Sequence, residues 1–325
     1  MLKLFKNQNP YAIIILLILT LVLKFNVLSH AVVPHMGQHQ VLWSIILRKF
    51  MDIFGGGSFF YTFLATLNIV GQALYLNYIT NKYHFFSKRT YLPAYTYILV
   101  TSLLPAWSFF SAEMLNNWLF LWLINLVYST YADQNARKSL FNIGCVYSLL
   151  FLLSFPNVFF IFFIIIALLI LRPFKLVEWM VTLLGMATPV YILGGIAYLT
   201  DSLYIFSSIF SVHFTLPKLL PVPAVIATAT LGLMTITGFI LLNQHMNRML
   251  FQIKKMWWIN IIFLFVSILS TIPIFTLGNE IWIVTLLPAT LFISNIWFLK
   301  KPKWFAESVN FLLLAVIIYL QWFYH

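Results

Sequence analysis

Residues 31–57 read AVVPHMGQHQVLWSIILRKFMDIFGGG, a polar segment between two long hydrophobic runs. Polar side chains recur at every fourth position and share one helical face: Gln40, Ser44, Arg48 and Asp52. Apolar side chains line the opposite face: Leu42, Ile46, Phe50 and Ile53. The pattern predicts an amphipathic helix at 40–54 that lies in the bilayer interface and turns its apolar face to lipid or protein. The glycines at 55–57 then let the chain turn sharply into the next span.

The composition of the whole chain is that of a membrane protein. Of its 325 residues, 62% are hydrophobic and 8% are charged, whereas a soluble domain is about 45–50% apolar and about 25% charged. The hydrophobic runs leave no stretch long enough for a separate soluble domain. We therefore predict one integral membrane domain over 1–325, an all-α polytopic transmembrane helical bundle. Cys145 is the only cysteine, so neither a disulfide framework nor a cysteine metal site is expected.

About twenty apolar residues are needed for each crossing of the bilayer, and on that measure we predict eleven spans. They are 11–29, 58–79, 92–110, 115–131, 140–155, 158–171, 176–199, 222–242, 256–275, 281–299 and 306–323. The fifth and sixth spans are separated by Ser154, Pro156 and Asn157, which predict a tight hairpin. The two longest excursions on the outer side are 31–57 and 201–221.

The distribution of cations predicts the orientation. With this set of spans, fifteen of the nineteen Lys and Arg residues fall in loops on the same side as the N-terminus, and such an excess marks the cytoplasmic side. The N-terminus is therefore predicted inside and the C-terminus outside. The net charge of +12 follows from topology, so no nucleic acid partner is expected. The four outer cations are Lys24, Arg48, Lys49 and Lys218, of which Lys24 is close enough to the end of its span to snorkel.

Acidic residues are few, so their position is informative. Four of the seven fall on the outer side: Asp52, Glu113, Asp201 and Glu280. Short loops need solvated residues, and that explanation stays open beside a functional one. Glu113 has no cation within helical reach. Asp52 follows Arg48 by four residues on the same helical face, so an ion pair with it is the simplest expectation.

The order of these features resembles the C-fold glycosyltransferases, which use polyprenyl-phosphate sugars. The resemblance rests on the interfacial helix after the first span, on Asp52 in the first outer loop and on Glu113 between the third and fourth spans. It implies that the two acids meet around the sugar phosphate or a divalent cation, although no cofactor is identified. The acid that these enzymes carry near the start of the first loop is absent, and His35 and His39 stand there instead.

The remaining candidate residues follow from this resemblance. His35 and His39 could transfer a proton or bind phosphate, because imidazole titrates near neutral pH. Two solvated loop histidines are the alternative. The candidates for holding the phosphate of an anionic lipid are Arg48, Lys49 and Lys218.

A second resemblance covers 77–201, which is similar to an uncharacterised multi-pass inner-membrane family of Bacteroidota. The residues that carry it are the basic turn at 81–89, SLLP at 102–105, Asn116, the pair Arg137-Lys138 before Phe141-Asn142, LILRPF at 169–174 and Glu178-Trp179. The resemblance implies a location in the inner membrane of a diderm bacterium. These motifs punctuate the topology and do not indicate a reaction.

Two functions remain as expectations. The first is a protein like the C-fold glycosyltransferases that acts on or binds a polyprenyl-phosphate-linked sugar at the periplasmic face. The second is a non-catalytic membrane subunit of a cell-envelope assembly, with lipid and protein partners, which the missing first-loop acid favours. Whether the chain is an enzyme is left open. An ion-driven transporter is disfavoured because no charged residue is expected at the middle of the bilayer.

The predicted orientation can be tested with single cysteines at Lys88, Arg137 and Lys301 in a Cys145→Ser background. A membrane-impermeant thiol reagent should label all three only after the cells are permeabilised, because each lies in a loop predicted inside. A cysteine at His325, predicted outside, is the positive control. Labelling of any inner site in intact cells would contradict the topology.

Overall fold

The computed structural model describes residues 2–6, 11–34, 41–55, 57–131, 133, 135–203, 221–271, 282–298 and 303–322. Within these ranges every regular element is helical, which confirms the predicted all-α bundle. The α-helices are α1 (Leu2–Lys6), α2 (Tyr11–Leu23), α3 (Phe25–Ser29), α4 (Val41–Phe54), α5 (Ser58–Lys82), α6 (Leu92–Thr101), α7 (Ala112–Ser129), α8 (Arg137–Leu153), α9 (Phe160–Leu171), α10 (Leu176–Leu199), α11 (Val222–Met246), α12 (Phe251–Thr271), α13 (Ile283–Trp297) and α14 (Lys303–Trp322). Short 3-10 turns, Pro105–Ser108 and Phe155–Phe159, follow α6 and α8.

Several helices have the properties of membrane spans. Five in the described part of the chain are long and apolar enough to cross a bilayer: α5, α10, α11, α12 and α14. The other predicted spans coincide with shorter apolar helices, with α7 and α8, or, for the first span, with the pair α2 and α3. A multi-pass membrane protein is thereby supported, whereas the number of crossings and their orientation stay predictions.

Contacts between helix termini define two opposite ends of the bundle. At one, called the Lys82 end below, Phe86 stacks on Phe298 with ring centroids 4.5 Å apart. At the other, called the Glu113 end, the Ser154 hydroxyl donates to Glu113 over 2.8 Å. The five helices α5 to α9 run alternately between these two ends, as an up-and-down bundle requires.

The hairpin predicted between the fifth and sixth spans is confirmed. α8 ends at Leu153, Ser154 is extended, and the 3-10 turn at Phe155–Phe159 leads into α9. The Asn157 side chain donates to the Leu150 carbonyl over 2.9 Å, which satisfies one of the free carbonyl groups at the end of α8.

Arg172 holds three helix termini together at the Lys82 end. Its Nε and Nη2 donate to the two carboxylate oxygens of Glu178, each over 2.8 Å. Its Nη1 donates to the carbonyls of Thr130 and Asp133, just after α7, over 2.8 and 2.6 Å. A guanidinium provides the fixed fork of donors that such an arrangement needs. The motif LILRPF and the Glu178-Trp179 pair are therefore explained as a structural tie.

The helix predicted at 40–54 is present as α4, and it packs on the protein through a stripe that coincides only in part with the predicted apolar face. Trp43 and Leu47 are buried, whereas Ile46 and Ile53 are 48% and 75% exposed. Trp43, Leu47 and Phe50 form a second apolar stripe at helical spacing, and the aromatic residues of this stripe pack against the neighbouring rings. Ile46 and Ile53 remain available to lipid, and an orientation parallel to the membrane stays a prediction.

In the outer excursion at 201–221, residues 204–220 lie outside the described residues.

α8 and α10 approach closely through glycines. A Cβ atom on Gly144 would overlap the Thr182 carbonyl oxygen, and one on Gly185 would overlap that of Phe141. Small residues allow such close backbone contact between helices in membranes. The pairing of α8 with α10 therefore depends on the absence of side chains at these two positions.

Gly185→Ala should separate α8 from α10 and destabilise the protein by about 1–3 kcal/mol, as overpacking of a close contact does. The matched control is Gly195→Ala on the same helix, where a Cβ atom meets nothing within 4 Å. Thermal unfolding of the purified protein in detergent measures both. Equal melting temperatures for the two variants would contradict the proposed role of this contact.

Candidate functional site

The connection between α6 and α7, residues 102–111, is buried although it is a loop. Trp107 is 0% exposed, and the neighbouring residues are buried or half-buried. A buried loop must satisfy its backbone polar groups inside the protein. The side chain of Gln321, near the end of α14, donates to the Ser102 carbonyl over 2.7 Å, and Ser108 Oγ donates to the Thr101 carbonyl over 3.2 Å.

Lys24 points into this connection from the break between α2 and α3. Its side chain is 0% exposed, and its Nζ donates to the Thr101 carbonyl over 3.3 Å and to Ser108 Oγ over 2.5 Å. The expectation that Lys24 snorkels to the membrane surface is wrong, because acceptors inside the bundle hold its ammonium group. Both of these acceptors are neutral, so the ammonium loses water without gaining a described carboxylate partner.

Glu113 lies in the first turn of α7. Ser111 caps this helix by accepting from the Met114 N–H over 3.3 Å. The Glu113 side chain is 3% exposed, and its carboxylate accepts from Ser154 Oγ over 2.8 Å and from Asn116 Nδ2 over 3.1 Å. A negative charge is favourable in the first turn of a helix. The carboxylate, which has no cation within helical reach, is thus enclosed by α7 and the turn after α8.

Polar side chains of three helices continue the site into the bundle. Tyr97 OH donates to Gln72 Oε1 and Gln72 Nε2 donates to the Met114 carbonyl, each over 2.7 Å. Asn117 Nδ2 donates to Tyr97 OH over 3.1 Å and to the Ile283 carbonyl over 3.3 Å. Polar side chains of neighbouring helices thus bind one another inside the bundle, as helix packing in a membrane favours.

Four buried polar atoms near this end have no hydrogen-bond partner among the described residues. They are Tyr61 OH, Asn116 Oδ1, Asn117 Oδ1 and Gln321 Oε1. Buried polar atoms are usually satisfied, so exceptions that gather in one region need an explanation. Asn116 is also the residue whose amide nitrogen holds Glu113.

α4 covers the connection from outside. The rings of Trp43 and Phe50 lie 5.7 and 6.2 Å from that of Phe110, and Phe50 also lies 6.2 Å from Tyr61. These contacts are apolar on both sides. None of the hydrogen bonds just described involves α4.

The candidate residues on α4 differ from Glu113 in their exposure. Asp52, Arg48 and Lys49 are exposed on α4, while Glu113 is buried. In the part of the chain that the structure describes, Arg48 and Asp52 form no ion pair, so the predicted pairing is wrong. Two exposed side chains gain little from pairing, because water screens their attraction. The remaining candidates, His35, His39 and Lys218, lie outside the described residues.

No metal centre is evident in the described ranges, where no three His, Cys, Asp or Glu side chains could hold an ion together. Because His35 and His39 fall outside those ranges, the divalent cation implied by the glycosyltransferase resemblance stays a prediction.

Comparisons with protein families, with curated proteins and with solved structures find no match to this chain. Both resemblances drawn from the sequence therefore stay predictions. Two residues of the site were not predicted from the sequence. Lys24 was expected at the membrane surface, and Ser154 was expected only in a turn. The signal for Lys24 was its position inside an otherwise apolar run, since ionisable residues within spans are functional candidates by default.

The hydrogen bond from Ser154 to Glu113 should matter for stability. Ser154→Ala leaves a buried carboxylate with one donor fewer and should cost about 1.5–3 kcal/mol, as hydrogen bonds to charged groups do. The matched control on α8 is Ser148→Ala, because Ser148 Oγ is buried without a described partner and its loss should be neutral or stabilising. The difference between the two melting temperatures measures the effect. A Ser154→Ala protein as stable as wild type would show that Glu113 does not depend on this bond.

Proposed function

We propose that the protein binds a polyprenyl-phosphate-linked sugar at the Glu113 end of the bundle, as a relative of the C-fold glycosyltransferases. One observation carries the proposal: two groups of opposite charge, Lys24 and Glu113, are both buried against the connection at 102–111 and its continuation into α7. Removing each charge from water costs several kcal/mol. Ionisable groups kept inside a membrane bundle at that cost usually bind or react.

Each buried group has a role in this proposal. The Lys24 ammonium, a compact point charge, binds the lipid phosphate. The unpartnered Asn116 Oδ1 and Asn117 Oδ1 accept hydrogen bonds from sugar hydroxyls. The Glu113 carboxylate takes the proton of an acceptor hydroxyl. Arg48 and Lys49, exposed on α4, attract the anionic lipid to this end.

Access to these groups requires α4 to move. The contacts of Trp43 and Phe50 with Phe110 are apolar, so the lipid chain can replace them by contacts of the same kind. α4 is thus proposed as a cover that a lipid displaces from the membrane side. The predicted orientation puts this end at the periplasmic face.

The second candidate is a non-catalytic subunit of a cell-envelope assembly, and a specific observation favours it too. The Glu113 carboxylate already accepts from Ser154 and Asn116, and so ties α7 to the turn after α8. A carboxylate satisfied in this way can serve stability alone. The two candidates differ in what they expect when the charge is removed without a change of size.

The Glu113→Gln variant distinguishes the two candidate functions. In the enzyme, replacing the base by an amide should lower the rate of sugar transfer about a hundred-fold or more, while melting temperature changes little. The assay supplies purified protein in liposomes with a polyprenyl-phosphate sugar and lipid acceptors, and follows transfer of labelled sugar. The control is Glu307→Gln, which alters an exposed acid on α14.

The outcomes are distinct. Full transfer by Glu113→Gln removes Glu113 as the base. Absence of transfer by wild type, together with no binding of the polyprenyl-phosphate sugar, supports the non-catalytic subunit. Binding that Lys24→Gln abolishes and Glu113→Gln retains, with no sugar transfer by wild type, would support the binding role without catalysis.

A further inference from the structure

A cavity of about 550 Å³ lies at the Lys82 end, opposite to the site just described. Its polar lining consists of Asn77, Tyr78, Asn81, Lys82, His84, Arg89 and Tyr91. Three of these side chains are basic and none is acidic. The excess of cations predicted for cytoplasmic loops accounts for basic residues in the loop after α5. It does not account for three basic side chains around one cavity.

The end of α5 is shaped to aim His84 into the cavity. His84 has φ 52°, in the left-handed region, and the following Phe85 N–H donates to the Thr80 carbonyl over 3.1 Å. This is the arrangement of a Schellman motif, in which glycine usually occupies the position of His84. Phe85 and Phe86 anchor the turn by packing on Trp257. An imidazole therefore stands where the backbone alone would favour glycine.

A side chain closes the basic loop into a clasp. Asn81 Nδ2 donates to the Thr90 carbonyl over 3.1 Å, and the Thr90 N–H donates to Asn81 Oδ1 over 3.2 Å. Thr90 Oγ1 also donates to the Phe5 carbonyl over 2.8 Å, which ties α1 to the same point. The clasp brings Arg89 back beside the end of α5, to the same cavity as Lys82.

The groups that face the cavity are suited to an anion with hydroxyl groups. Arg89 is exposed and makes no hydrogen bond or ion pair with the described residues. The Lys82 ammonium is exposed, with Asn125 Oδ1 at 3.3 Å as its described acceptor. Asn77 is 4% exposed, and its Oδ1 has no partner among the described residues. The two cations attract an anion, and the buried amide oxygen of Asn77 can accept a hydrogen bond from a hydroxyl group.

The surface beside the cavity is apolar and continues into the membrane. Ile13 and Leu74 complete its lining. From there the outer face of α2 exposes Ile14, Leu17, Ile18 and Leu21 along successive turns. A soluble anion would leave this apolar surface uncovered, whereas the acyl chain of a lipid would cover it.

We propose that this cavity binds the phosphate of an anionic membrane lipid whose headgroup carries hydroxyls, with phosphatidylglycerol as the simplest example. Arg89 and Lys82 bind the phosphate oxygens, His84 lies beside them, and Asn77 Oδ1 accepts from a headgroup hydroxyl. The acyl chain lies along α2. The site is separate from Glu113 and does not depend on the function proposed for that end.

Native mass spectrometry of the full-length protein in an uncharged detergent tests this site. Wild type should bind dioleoylphosphatidylglycerol about ten-fold or more tightly than dioleoylphosphatidylcholine, which has no net charge. The double variant Lys82→Gln/Arg89→Gln should lose about ten-fold or more of the phosphatidylglycerol affinity. The matched control Arg137→Gln/Lys138→Gln removes the same two charge types from exposed positions outside the cavity and should bind as wild type does.

The results that would overturn the proposal are equally defined. Equal loss in both double variants would mean that overall charge, and not the cavity, attracts lipid. Equal affinity for the two lipids would remove anion recognition. Displacement of phosphatidylglycerol by the same concentration of inorganic phosphate or glycerol phosphate would assign the cavity to a soluble anion.

The His84→Gly variant tests the role of the imidazole in a protein that should fold as wild type does. Glycine adopts the backbone conformation at this position without a steric cost, so the melting temperature should be unchanged or higher. Affinity for phosphatidylglycerol should fall several-fold, because the imidazole is lost. A variant that is more stable and binds the lipid as wild type does would exclude His84 from the site.

Discussion

A buried ammonium group organises one end of this bundle. Lys24 donates from the first predicted span to the end of α6 and to the 3-10 turn that follows it. In a membrane, polar groups of the backbone must be satisfied within the protein, because lipid offers no partner. The loop at 102–111 can be buried only because side chains such as Lys24 and Gln321 reach its carbonyl and hydroxyl groups. Glu113, Ser154 and α4 all lie at the same end of the bundle as that loop.

The two ends of the bundle use charge in opposite ways. At the Glu113 end one cation and one acid are enclosed, and each is held by hydrogen bonds to uncharged groups. At the Lys82 end Lys82 and Arg89 remain exposed around a cavity. Enclosed charges are held in a fixed geometry, whereas exposed ones attract anions over a longer range and are screened by salt. Binding of a polyprenyl-phosphate sugar and binding of an anionic phospholipid are accordingly proposed at different ends.

Much of the fold was predictable because it depends on local patterns. Hydrophobic runs located the helices, Pro156 and its polar neighbours located the hairpin, and the four-residue period located α4 to within one residue. The period did not decide which stripe of α4 meets the protein, since Trp43 and Leu47 repeat as regularly as Leu42 and Ile46. That choice depends on aromatic partners distant in sequence.

The candidate site was less predictable, for a physical reason. Loops between spans are ordinarily solvated, and the spans predicted at 92–110 and 115–131 place such a loop around Glu113. Its burial depends on contacts from α8, and that of Lys24 on acceptors at Thr101 and Ser108. The cavity at the Lys82 end likewise depends on the clasp between Asn81 and Thr90. Pairings of this kind leave no periodic signal in the sequence.

The tie made by α14 bears on how the chain is assembled in the membrane. Gln321 donates to the Ser102 carbonyl, and Asn26 Nδ2 donates to the carbonyl of Gln321, so the first and last described spans meet at the buried connection. Ser102 leaves the ribosome more than two hundred residues before Gln321 does. Throughout that interval its carbonyl lacks this donor, and the connection must be shielded by water, lipid headgroups or an insertase. The Glu113 end is therefore completed only after Gln321 has been synthesised, long after the connection that it stabilises.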